Sequence, residues 1–131
     1  MEKENKMKKI IATPNAPKAI GPYSQAVLHN NTLYCSGQIA INPKTNELIT
    51  DNIFNETHQV MKNIYEILKE ANMDFRNIVK CSIFLKNMNN YNDVNIVYGS
   101  YFDSQPPARE AFQVSVLPKN VNIEISAIAC L

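Results

Sequence analysis

Ile53-Phe54-Asn55-Glu56-Thr57-His58-Gln59-Val60-Met61-Lys62-Asn63-Ile64-Tyr65-Glu66-Ile67-Leu68-Lys69-Glu70-Ala71, followed after a short break by Val79-Lys80-Cys81-Ser82-Ile83-Phe84-Leu85, is the stretch on which the fold turns. In the first part Ile53, Thr57, Val60, Met61, Ile64, Leu68 and Ala71 recur at helical spacing and form one apolar stripe. Asp51 or Asn52 can cap its start with a side-chain oxygen. In the second part Val79, Cys81, Ile83 and Leu85 alternate with Lys80, Ser82, Phe84 and Lys86, the period of a strand. A one-sided helix that runs straight into a strand is the unit of a helix laid on a sheet.

Upstream, Ile10–Thr13 reads as a short strand, and Pro14 to Pro22 as a loop broken by Pro14, Pro17, Gly21 and Pro22. Gln25–His29 and Thr32–Ser36 flank Asn30-Asn31, a pair that tolerates positive φ, so a hairpin is expected, with Gly37 ending its second strand. Asn42–Asn46 reads as a turn. Downstream, Asn90–Phe102 reads as a second helix capped by Asn90, and Pro106-Pro107 closes it. Arg109–Leu117 and Asn122–Cys130 are the last two strands. The expected order is β-β-β-α-β-α-β-β, an α+β fold. Two helices can cover only one face of such a six-stranded sheet, so the other face is expected to need a partner, most simply another copy of the chain.

The composition fits this picture. The chain has 131 residues, enough for one domain with its own core, and 45% hydrophobic with 19% charged residues is a globular balance. Residues 1–9 read as a flexible tail and residues 10–131 as a single domain. A net charge of +1 supplies no overall field toward nucleic acid or a membrane surface. No apolar run approaches the ~20 residues of a membrane span. Only Ile10-Ile11-Ala12 follows the charged start, short of the roughly 7–15 apolar residues of a secretory signal. A cytoplasmic protein is expected. Cys35, Cys81 and Cys130 lie far apart in strand-like runs and read as reduced, buried thiols.

Much chemistry has no residues to run on. His29 and His58 are far apart, outside any metal-ligand spacing, and His58 reads as a solvated or helix-face histidine. There is no phosphate-cradling glycine loop and no nucleophile elbow beside a histidine. No metal or cofactor is expected, so a substrate would have to be reactive already. Two residues stand out. Arg109 is one of two arginines against eleven lysines, and it stands at the mouth of an apolar strand. It is either half of a strand-end ion pair or a fork for a carboxylate. Glu124 lies between Ile123 and Ile125, on a wet strand face or in a site.

Pro107-Ala108-Arg109, Phe112-Gln113-Val114, Leu117-Pro118-Lys119 and Ile123-Glu124-Ile125 together resemble the signature of the RidA/YjgF/UK114 family of reactive-intermediate (enamine/imine) deaminases. Ala19-Ile20-Gly21-Pro22-Tyr23-Ser24-Gln25-Ala26, Ser36-Gly37-Gln38-Ile39 and Asn42-Pro43-Lys44-Thr45 extend the likeness, which runs from about Ile10 to Ile128. The resemblance implies a chorismate-mutase-like (YjgF-like) fold assembled as a homotrimer with sites between subunits. It implies hydrolysis of 2-aminoacrylate and 2-aminocrotonate, as imines, to 2-oxo acids and ammonia. It implies that Arg109 binds the substrate carboxylate and Glu124 holds or activates water, with Tyr23, Ser36, Gly37 and Asn95 lining the cleft. Ala111 stands where many members carry a cysteine, so any part it plays would fall to its backbone N–H. Glu110 also departs from the small residue usual there, and is expected to compete for Arg109. Some relatives are credited instead with endoribonuclease or translation-inhibitor activity, and a non-catalytic module that binds small 2-oxo acids or shields other proteins shares the arginine clamp.

One expectation is geometric. The Pro118–Val121 connection is short, so the last two strands should run antiparallel, with Arg109 and Glu124 some 20 Å apart in one subunit. If both serve one site, neighbouring subunits must supply them.

Overall fold

The computed structural model describes residues 7–131. The helical stripe forms α1 (Ile53–Glu70), with Val60, Met61, Ile64, Ile67 and Leu68 fully buried. Asn52 caps it from an extended backbone, its side-chain oxygen accepting the Asn55 N–H at 2.8 Å. The strands are β1 (Lys9–Ile11), β2 (Ala26–His29), β3 (Thr32–Gln38), β4 (Ile78–Leu85), β5 (Ala108–Gln113) and β6 (Ile123–Cys130), and the second helix is α2 (Tyr91–Gly99). The order along the chain is the expected one. β1 takes in Lys9, the last residue assigned to the tail, while the first six residues of that tail lie outside the described residues.

The sheet order is β1-β2-β3-β6-β4-β5. All neighbours are antiparallel except β4 and β5, a parallel pair whose crossover carries α2. The β2–β3 hairpin turns through Asn30 and Asn31, both at positive φ (50° and 68°). Residues facing the helices alternate with residues facing away, except at irregularities in β3 and at the start of β4. Leu33, Cys35, Cys81, Ile83, Leu85, Ile123, Ile125, Ala127 and Ala129 form the buried face against α1. The opposite face presents Tyr34, Phe84, Phe112 and Glu124, and Tyr34 and Phe112 are about half exposed, 51% and 55%. Among the described residues no helix lies over that face.

Three local expectations change. Gly37 does not end β3, which runs on to Gln38 through a bulge between Cys35 and Gln38. The second helix stops at Gly99 and is preceded by a 3-10 turn, Met88–Asn90; Asn87 caps that turn by accepting the Asn89 N–H, whereas the Asn90 side chain makes no cap bond. The last two strands do run antiparallel, but β4 lies between them, because β4 offers each edge an apolar partner.

Candidate functional site

Arg109 lies on β5, level with the buried Cys81 of β4, and its side chain turns to the helical face beneath α2. Its Nη1 donates to Asn95 Oδ1 at 2.8 Å and its Nη2 donates to the Tyr91 hydroxyl at 2.9 Å. Its Cζ stands 5.5 Å from the Tyr91 ring centroid and 5.0 Å from that of Tyr98. Tyr91, Asn95 and Tyr98 share one face of α2 by helical spacing. Among the described residues the ion pairs are Lys69–Glu66, Arg76–Asp74 and Lys80–Glu110, and none of them engages Arg109. The guanidinium therefore keeps its positive charge uncompensated, bonded only to neutral acceptors. It opens on a cleft of about 400 Å³ lined by Asn95, Tyr98, Gly99, Phe102, Asp103 and Pro107. A larger groove, about 680 Å³, runs along the start of α1 past Asp51, His58 and Lys62, and none of the expected site residues lines it.

Glu110 does not compete for the fork. Successive strand residues point to opposite faces, so Glu110 turns away from Arg109. It bonds the Ser82 hydroxyl and pairs with Lys80 Nζ at 3.1 Å. Those two partners, Ser82 first, hold its carboxyl below the ordinary value.

Glu124 belongs to the other face. It is level with Phe84 across β6–β4, and the β3 bulge brings Gly37 against it. A Cβ at position 37 would land on Glu124 Oε2, with Cδ 2.8 Å and Cγ 3.0 Å away, so glycine is what leaves the carboxylate its place. Burial raises the Glu124 carboxyl above the ordinary carboxylate value. Ser36 adjoins this pair, its hydroxyl donating to the Ser24 carbonyl at 2.6 Å and its N–H to the Gln25 carbonyl at 2.9 Å. Tyr23, 54% exposed, stands next in the chain. The buried Gln25 side chain secures the loop before it, accepting from Thr13 N at 2.7 Å and donating to the Thr13 and Pro17 carbonyls at 3.1 and 2.8 Å.

The structure thus joins Arg109 with Asn95, and Glu124 with Gly37, which Ser36 precedes on β3, and keeps the two groups apart. From Cys81 to Phe84 is three residues, so the offset along the strands is about 10 Å, and two strand spacings add about 10 Å across. That shortens the expected 20 Å to about 14 Å between the backbones, yet the sheet itself stands between the side chains. Ala111 shares the Arg109 face, level with Ile83 and packed on the core, not the Glu124 face. His58 is a helix-face histidine, half-buried on α1, with its Nδ1 2.7 Å from the Tyr101 hydroxyl. Cys35 and Cys81 are buried free thiols, with Cys35 pushed up to about 12 by burial. Among the described residues no cluster of three His, Cys, Asp or Glu side chains is arranged to hold a metal. Sequence reasoning missed Tyr91 and Tyr98 as neighbours of the fork. Their signal is the spacing Tyr91, Asn95, Tyr98, which places all three on the side of α2 that faces β5.

Fold and site together define a class: an α+β protein with a six-stranded sheet, one helical layer, and a cationic fork opening on a cleft at one sheet edge. The family model described as Endoribonuclease L-PSP matches residues 13–131. A human protein named 2-iminobutanoate/2-iminopropanoate deaminase is 48% identical over 123 residues, 94% of this chain and 90% of the relative. The solved structure of YyfA from Yersinia pestis, of the conserved Rid protein family, superposes with a TM-score of 0.93 at 48% identity, covering 95% of this chain and 100% of that one. That of the YjgF gene product from E. coli gives 0.89 at 42% identity, covering 93% and 98%. The chain belongs to the RidA/YjgF family, the one that this family model describes.

Proposed function

We propose that this chain is a 2-iminobutanoate/2-iminopropanoate deaminase, hydrolysing the imine forms of 2-aminocrotonate and 2-aminoacrylate to 2-oxo acids and ammonia at sites shared between the subunits of a homotrimer. The observation that carries the reading is the Arg109 guanidinium, held by neutral groups and open to a cleft. A fork in that state binds a carboxylate through two charge-assisted bonds without first giving up a partner. The identity to the human deaminase over nearly the whole chain supports the same substrate class.

The chemistry asks little more. Water adds to the electrophilic carbon of the protonated imine and loses a proton, and the carbinolamine expels ammonia as its C–N bond breaks and the C=O forms. Glu124 is suited to take the proton from water, since burial raises its carboxyl above the ordinary value and so makes it a stronger base than an ordinary carboxylate. Arg109 orients the substrate. Because the two residues face opposite sides of one sheet, a site using both takes Arg109 from one subunit and Glu124, Gly37 and Ser36 from the next. The residues named here suffice for that hydrolysis without metal or cofactor.

The test is a serine or threonine dehydratase coupled to this protein, with oxo-acid and ammonia release followed over the uncatalysed rate. Wild type is expected to accelerate release. Arg109→Lys keeps the charge and loses the fork, and is expected to forfeit at least about tenfold of kcat/KM. Glu124→Gln is expected to bind 2-oxobutyrate and to lose turnover. Binding of RNA that weakens steeply with salt, without imine turnover, would favour a nucleic-acid reading instead.

A further inference from the structure

We infer that Tyr91 is a positioning residue for the Arg109 fork, an inference that rests on reading Arg109 as the carboxylate clamp. The long arginine side chain is flexible, and a bidentate contact needs its plane held. If the plane twists, one of the two parallel bonds to a carboxylate is lost. Here each end of the fork is fixed from α2: Nη1 by Asn95 Oδ1 at 2.8 Å and Nη2 by the Tyr91 hydroxyl at 2.9 Å. The two acceptors are one helical turn apart, so the helix sets their separation. Tyr98 closes the arrangement with its ring 5.0 Å from Cζ.

The chemical nature of the anchor matters as much as its place. A carboxylate at position 91 would hold the fork more tightly and would also neutralise it. The tyrosine hydroxyl, accepting one N–H bond, fixes the plane and leaves the charge for the ligand. Of the five guanidinium N–H groups, two are used by these acceptors, and the remaining three are enough for a two-bond contact. Tyr91 touches no reacting atom in this account; it acts through Arg109.

Tyr91→Phe isolates the hydroxyl, since the ring that packs on the core and lies 5.5 Å from Cζ remains. Tyr65→Phe, on α1 away from the cleft, is the control. Three quantities are read on each protein: the dissociation constant for 2-oxobutyrate, KM and kcat with the coupled dehydratase, and the rate of rotation about Nε–Cζ of Arg109 from its side-chain 15N resonances. Tyr91→Phe is expected to weaken 2-oxobutyrate binding and raise KM by about fivefold, the worth of one neutral hydrogen bond. Its kcat should stay within about twofold of wild type, and Arg109 rotation should speed up. Tyr65→Phe should match wild type in all three. Unchanged Arg109 rotation in Tyr91→Phe overturns the inference, as does a fall in kcat with KM unchanged. If wild type itself neither binds 2-oxobutyrate nor turns over imines, the deaminase reading fails, while the 15N measurement still decides whether Tyr91 holds the fork.

Discussion

Glu124 carries a cost that its neighbourhood imposes. It is half-buried on a strand whose flanking residues are Ile123 and Ile125, and burial alone raises its carboxyl pKa. A carboxylate whose pKa rises on folding lowers stability wherever it is ionised in the folded state. The penalty is fully present above the folded value and disappears as pH falls below the unfolded one. Glu124→Gln removes the charge in nearly the same shape. It should therefore melt at or above the wild-type temperature at pH 7, and the gap should close as pH is lowered toward the ordinary value of 4.5. Thermal denaturation of both proteins across that range checks it, and a lower melting temperature for the variant at pH 7 would show that the ionised group is held by a partner. In the proposed enzyme this is the stability given up for a base. Glu110, one residue from Arg109 in sequence, shows the converse: strand alternation sends it to Lys80 and Ser82, where its charge is satisfied.

At the scale of elements, a second buried carboxylate ties the layers together. Glu56, in the first turn of α1 and fully buried, accepts the Asn122 N–H at 2.8 Å and the Asn122 side-chain amide at 2.7 Å. Asn122 in turn accepts the Lys86 N–H at 2.9 Å through its own carbonyl, so one chain of bonds joins α1, the end of β4 and the start of β6. The helix N-terminus favours the negative charge there. Glu56→Ala leaves two half-buried donors unpaired and is expected to cost about 2 kcal/mol in urea unfolding. Glu56→Gln keeps one acceptor oxygen and should cost roughly half as much. The bonds also fix where β6 begins, and hence the level of Glu124, which sequence periodicity could not supply: Glu56 interrupts no apolar stripe and reads as an ordinary polar helix residue. The helix and strand periods themselves were legible because side-chain direction repeats with the backbone, as α1 and the alternating β4 and β6 show.

At the scale of the whole molecule, the uncovered face with Tyr34 and Phe112 and the split between Arg109 and Glu124 point to the same proposal, a site completed by a second copy. Subunits carrying Arg109→Lys and subunits carrying Glu124→Gln are each expected to be inactive alone. Mixed in equal amounts by co-expression, about a quarter of the inter-subunit sites would receive an intact Arg109 and an intact Glu124, and activity should return to about that fraction. No recovery from two inactive variants would mean that both residues serve within one subunit.

By itself the sequence determined the element order, the helical and extended periods, the Asn30-Asn31 turn and the family motifs around Arg109 and Glu124, because these depend on neighbours in the chain. Only the tertiary structure decided that β4 separates the last two strands, that Gly37 sits in a bulge against Glu124, and that Tyr91 and Asn95 hold the two ends of one guanidinium. Strand order and side-chain contacts between distant segments are settled by packing of the buried face as a whole, and no local pattern encodes which edge each strand will find.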